Sequence, residues 1–284
     1  TGNFRNLVIM LRFSNHAARV LPSGIDVDTL FNAPGGDFLL APTGSVRDVF
    51  IENSYGQLIL DSTVVGWIDL PNTEPYYADG NSGTTPKIWE ALTYALDQVD
   101  ARSDFNDKDE DDDGFIDSIA FIHSGYGAEW GGTDADGAVA ADRICSHRWA
   151  IQLPPSGSPW TSSDNNGAIP PQQVKVFDYH ISPGLWGLSG SSIGRIGVIA
   201  HETGHFFGLP DLYDTDGSPG EGIGSWGLMA NSWGFDFSQL FPPHLSAWSK
   251  IELGWVTPTV ITGPGTYNIP DVENSPVIYR IDAN

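Results

Sequence analysis

Apolar residues fall into blocks of different period along the chain, and the periods predict its elements. The nearly unbroken run from Leu7 to Phe13 (LVIMLRF) predicts a buried strand. Residues 14–45 are mixed and turn-rich, with Pro34-Gly35-Gly36 as a breaker. Ser45 to Tyr55 predicts a short helix that ends at Gly56. Leu58 to Leu70 alternates and is rich in β-branched residues, which predicts two strands or a hairpin. Residues 71–85 read as a polar loop. Thr84-Thr85-Pro86 then caps a helix whose apolar stripe is Ile88, Ala91, Leu92, Ala95, Leu96 and Val99. Ser118 to His123 predicts a strand, and Gly125 to Gly132 a glycine-rich loop. Residues 133–192 read as irregular, with a surface loop at 154–171 and a strand-like Val174 to Ile181. Pro243 to Leu253 predicts a capped amphipathic helix ending at Gly254, and the chain beyond Trp255 is β-like.

Chemistry concentrates in His201-Glu202-Thr203-Gly204-His205-Phe206-Phe207-Gly208-Leu209-Pro210-Asp211. Two histidines four residues apart on a helix lie about 40° apart around its axis, so both rings reach one metal ion. Glu202 sits one step round and reaches a water on that metal. Ser191 or Ser192 is expected to cap the helix. Ile196, Ile199, Thr203, Phe206 and Phe207 fall roughly opposite the histidines and form the core-facing side. Gly208 stops the helix and lets the chain turn back. Asp211 then returns as a third ligand. A downstream Glu, with Glu252 as the candidate, is the other source of that ligand.

A second cluster has the form DxDxDGxxD, from Asp109 to Asp117. Carboxylates of Asp109, Asp111 and Asp113, the turn at Gly114, the carbonyl of Phe115 and Asp117 at the ninth position make an oxygen-rich cage for Ca²⁺. The glutamate that closes an EF-hand loop is absent; Ala120 stands there. Asp214-Thr215-Asp216-Gly217 is a weaker loop of the same kind.

Length and charge narrow the classes. The 284 residues allow one large domain with a small appendage. A net charge of −23 repels nucleic acid and anionic membranes, suits cations, and agrees with a salty or extracellular setting. The single cysteine, Cys145, permits no intrachain disulfide and is expected to be a small buried hydrophobe. No apolar run reaches the ~18 residues of a membrane span. Thr1 leads almost directly into the first strand, so a leader or propeptide is expected to be already missing.

Taken together, these residues resemble the immune inhibitor A type of secreted zinc metalloendopeptidase. The resemblance rests on Ser54-Tyr55-Gly56-Gln57-Leu58, Val65-Gly66-Trp67, the acidic loop running into His123-Ser124-Gly125-Tyr126-Gly127, and Ser146-His147-Arg148-Trp149. It also rests on His201 to Asp214, Gly227-Leu228-Met229, and His244 to Trp255. It implies an α+β, metzincin-like catalytic domain over residues 1–257, with a twisted mixed sheet and two long helices in an upper half and an irregular lower half. Residues 258–284 would begin a β-rich C-terminal extension. It further implies secretion, a propeptide, and Met229 in a turn beneath the metal.

The expected reaction is hydrolysis of peptide bonds in protein or peptide substrates by a metal-activated water. Glu202 is the general base, and Zn²⁺ sits on His201, His205 and Asp211. His244, His147 and Tyr213 are candidate donors to the oxyanion. Ca²⁺ would be structural. A monomer is expected, with no nucleic-acid partner. The alternatives are a calcium-dependent binding or adhesion module with a structural zinc site, and a different metal-dependent amidase.

Overall fold

The run at Leu7 belongs to an inner strand whose alternate side chains enter two different cores. This computed structural model describes residues 2–217, 220 and 222–282. Strand β1 (Gly2–Arg12) sends Leu7, Ile9 and Leu11 to one apolar cluster and Val8 and Met10 to the other. Period-two alternation is intact, but both faces are covered, so the sequence reads as an unbroken apolar run.

Six further strands follow: β2 (Leu58–Asp69), β3 (Ser118–Tyr126), β4 (His147–Ala150), β5 (Trp160–Asn165), β6 (Gln173–Val176) and β7 (Asp178–Leu185). The main sheet has the order β2-β1-β3-β7-β4. Its first four strands are parallel, and β4 pairs antiparallel with β7 at the edge. β5 and β6 form a separate antiparallel pair. The predicted strand from Val174 to Ile181 is therefore two strands in two sheets, divided at Phe177. Leu58 to Leu70 is one long parallel strand and not a hairpin. Its register slips between Ile9↔Val65 and Met10↔Trp67, so Gly66 is the extra residue of a bulge.

Helices cover both faces. α1 (Gly24–Asn32) and α2 (Val46–Asn53) each start in a capping box, Ser23 with Asp26 and Ser45 with Asp48. α1 lies in the stretch expected to be irregular. The outer strand β2 is blunted there, because the Asn32 amide donates to the Ser62 carbonyl at 2.8 Å and accepts from its N–H at 3.0 Å. α3 (Glu74–Ala78), capped by Thr73, interrupts the expected polar loop. α4 (Ile88–Val99) packs its predicted stripe into the cluster of Leu7 and Phe121. α5 (Ile196–Gly204) packs with α1 and α2 residues into the cluster of Val8 and Met10. α4 and α5 thus lie on opposite faces of the sheet. α6 (Ala247–Glu252) is capped by Ser246. The tail carries only the two-residue strands β8 (Thr259–Val260) and β9 (Tyr279–Arg280) among the described residues. It leans on the body through the Tyr55 hydroxyl, which donates to the Val272 carbonyl at 3.0 Å.

Candidate active site

α5 brings the two histidines to one point. Every residue of the helix is buried. Its first turn is not capped by Ser191 or Ser192. The cap position is Arg195, which offers no side-chain bond, and the Gly197 N–H donates to the Gln239 carbonyl at 3.0 Å. A carbonyl from a distant loop thus does the work expected of a local serine. The helix tightens into a 3₁₀ turn at His205–Phe207, and Gly208 ends it in the left-handed region at φ 81°.

Each imidazole is held by a backbone carbonyl. His201 Nδ1 donates to the Leu228 carbonyl at 3.0 Å, and His205 Nδ1 donates to the Leu209 carbonyl at 2.7 Å. Both Nε2 atoms are thereby left as lone-pair donors. They converge on Asp211 Oδ1, at 3.0 Å from His201 and 3.4 Å from His205. That oxygen is buried without a satisfactory hydrogen bond. Two oriented imidazoles and an orphaned carboxylate oxygen form the donor set that zinc favours.

Met229 lies directly under the helix. A Cβ on Gly204 would stand 2.6 Å from the Met229 sulfur, so only glycine admits the thioether there. The same turn supplies the Leu228 carbonyl to His201, and the Met229 carbonyl accepts from the Leu212 N–H at 2.8 Å. One turn therefore steadies both the first ligand and the segment that carries Asp211. Sequence reasoning missed Gly204 and the two carbonyls; the only signal was a glycine inside a helix.

A cavity of about 500 Å³ contains His201, Glu202, His205, Asp211, Tyr213 and His147 together. The Tyr213 ring stacks on His201 at 6.2 Å between centroids, and its hydroxyl bonds to Asp211. His147 lines the wall but has no free N–H. Its Nδ1 donates to the Cys145 carbonyl at 3.0 Å, and its Nε2 accepts from the Tyr179 hydroxyl at 3.1 Å. His147 is thus not a ready oxyanion donor. His244 is elsewhere: its ring pairs with Glu52 at 2.5 Å and Lys250 at 3.2 Å, in a different cavity. Glu252 is exposed on α6 and does not line the site.

Electrostatics follow from burial and from the histidines. Burial pushes the Glu202 carboxyl up to about 7, against the pull of His201 and His205. Burial also acts to raise Asp211, but the facing His201 and His205 rings outweigh it and hold that carboxyl well below the usual range. Burial raises the Tyr179 hydroxyl, opposed by a hydrogen bond from the Trp89 side chain.

The acidic loop folds as a nest of carboxylates. Ligand atoms of Asp109, Asp111 and Asp113 lie within 4.8 Å of one another. Asp109 accepts from the N–H groups of Asp113 and Gly114 at 3.0 Å each. Asn166, unnoticed in the sequence, donates to Asp109 at 3.2 Å. Asp117 stands outside that trio and accepts from the Glu110 N–H at 3.2 Å. Burial, with the charges of Glu110, Asp111 and Asp109, lifts Asp117 to about 6. Phe115 packs edge-on against Phe177. Asp214 accepts from the N–H groups of Asp216 and Gly217, and joins none of the three-residue clusters among the described residues.

Comparison with known proteins gives a consistent picture. The catalytic domain of the immune inhibitor A peptidases, M6, matches residues 31–256. Immune inhibitor A of Bacillus thuringiensis subsp. alesti is 31% identical over 227 residues, covering 72% of this chain and 31% of that protein. The pre-pro-metalloprotease PrtV of Vibrio cholerae serotype O1 (strain M66-2) is 28% identical over 245 residues, covering 78% of this chain and 24% of that protein. The chain spans a third or less of the length of these relatives.

Proposed function

The chain belongs to the immune inhibitor A family of M6 peptidases, and from that membership we propose that it is a secreted zinc-dependent endopeptidase acting on protein or peptide substrates. The observation that carries the reading is the meeting of His201 Nε2, His205 Nε2 and Asp211 Oδ1 in the cavity that also holds Glu202. A structural zinc site is closed by four protein ligands, whereas three donors opening on a cavity suit catalysis. When bound, zinc supplies Lewis acidity toward water and toward the scissile carbonyl. Glu202 takes the proton of the attacking water and delivers it to the leaving amine nitrogen. Of the three candidate oxyanion donors, Tyr213 is the one at the metal end of the cavity, and its hydroxyl would turn from Asp211 to donate.

The reading as a metzincin-like site is supported by the glycine turn at Gly208 and by Met229 beneath the helix. Residues 1–257 form the catalytic domain in this view, and residues 258–284 begin a β-rich extension. The test is hydrolysis of labelled casein by the zinc-loaded chain beside the same chain stripped with a chelator. Hydrolysis should vanish on stripping and return with zinc. Cleavage indifferent to the metal, or none with zinc bound, would overturn the proposal.

Calcium at the Asp109–Asp117 loop is proposed as structural. Crowded carboxylates and a raised Asp117 support it, since a cation relieves both. With zinc kept constant, calcium at ~100 times its Kd should stabilise the chain by about 2.7 kcal/mol, read as a rise in Tm over an EGTA-treated sample. Asp111→Asn, which keeps the oxygen that accepts from the Asp113 N–H, should lose most of that rise. An equal rise in the variant would place calcium elsewhere.

A further inference from the structure

A second meeting of metal-ligating side chains lies away from the cleft, where the C-terminal tail crosses the body. Glu52 near the end of α2, His244 in the loop before α6 and Glu273 in the tail each bring a ligand atom within 4.8 Å of the other two. All three line a cavity of about 590 Å³ that shares no residue with the cleft. The buried Lys250 ammonium donates to His244 Nδ1 at 3.2 Å and to the Tyr55 hydroxyl at 3.1 Å. An ammonium has no lone pair, so the ring proton of His244 is on Nε2, which donates it to Glu52 Oε1 at 2.5 Å. One proton therefore faces two carboxylates. Among the described residues the Glu273 carboxylate has no hydrogen-bond or ion-pair partner of its own. Two carboxylates this close repel each other unless a cation lies between them.

We propose that Glu52, His244 and Glu273 form a second zinc site, separate from the catalytic one, that fastens residues 271–274 to α2 and α6. An imidazole nitrogen and two carboxylate oxygens are a donor set within zinc's range, and a water completes the four-coordinate shell. On binding, His244 Nε2 exchanges its N–H bond for a bond to the ion, and that proton leaves to solvent. The ring stays a neutral imidazole by taking a proton from Lys250 along the Nδ1 hydrogen bond, and the Lys250 amine becomes the acceptor. The tail is otherwise held to the body by the Tyr55 hydroxyl on the Val272 carbonyl, and its own strands are two residues long. An ion bound by both tail and body turns its binding free energy into tail docking.

Equilibrium dialysis against zinc, with calcium saturating, tests the site in the wild-type chain, Asp211→Ala, Glu273→Gln and the double variant. The wild type should hold two zinc ions, each single variant one, and the double variant none at the same free zinc. Glu273 is exposed, so Gln leaves the packing intact. Glu273→Gln should weaken the second ion by more than about 100-fold and cut casein at the wild-type rate. Hydrogen exchange over residues 271–274 should slow at least about 10-fold with the second equivalent of zinc in the wild type, and not in Glu273→Gln. A wild-type chain that holds one ion, or a second ion untouched by Glu273→Gln, overturns the site. Loss of the second ion in Glu273→Gln with the exchange of residues 271–274 indifferent to zinc in the wild type overturns the fastening role. Loss of casein cleavage in Glu273→Gln overturns the separation from catalysis.

Discussion

Replacing Glu202 by Gln is expected to lower kcat on labelled casein by about 10²–10⁴-fold while the chain keeps its zinc. Glutamine has nearly the shape of glutamate, so the packing of α5 survives, but its amide cannot take a proton. Glu202 is buried beside His201 and within the same cavity as all three donors, yet it does not belong to the cluster that converges on Asp211 Oδ1. In the proposed mechanism it serves the water and does not hold the ion. Zinc content measured in parallel separates loss of the base from loss of the metal. A Glu202→Gln chain that cuts casein at the wild-type rate with zinc bound would move the base to another residue.

The chemistry of the site was more legible in the sequence than the architecture that supports it. His201, Glu202, His205 and Asp211 are close in sequence, and helix geometry with one glycine turn is enough to bring them together. Capping was legible only in part: the helix expected from Ser45 does start there, in a box with Asp48, but α4, expected to be capped at Thr84-Thr85-Pro86, follows Lys87 with no side-chain cap bond. It failed at α5, where the first turn is satisfied by the Gln239 carbonyl, a partner 42 residues downstream of Gly197 that no local pattern announces. Leu58 to Leu70 read as two strands or a hairpin because its neighbour β1 is far away in sequence, and a parallel partner leaves no turn signal. His147 and His244 illustrate the same limit for function. Both are histidines in stretches that carry the family resemblance. Only tertiary contacts reveal that one has its single ring proton and its lone pair both engaged and that the other is paired with Glu52 in another cavity.

Asp211→Ala is expected to weaken zinc binding by more than about 100-fold, because losing a direct ligand costs more than the 10–100-fold typical of an outer partner. The two histidines are already oriented by the Leu228 and Leu209 carbonyls, so their geometry does not depend on the carboxylate. What the substitution removes is the anionic donor that both Nε2 atoms face. Two neutral imidazoles then hold a divalent ion without charge compensation, apart from Glu202. Glu252→Gln supplies the control. Glu252 is exposed on α6 and outside the cavity, so its loss should leave zinc affinity within about 2-fold, well inside the ~1.4 kcal/mol that a tenfold change requires. Competition against a chromophoric chelator measures both variants on one scale. Zinc retained at wild-type affinity by Asp211→Ala would remove Asp211 from the ligand set. Zinc lost from Glu252→Gln would require α6 to move toward α5 on binding the ion, and the arrangement of carbonyl-held histidines around Asp211 would then describe only the chain without metal.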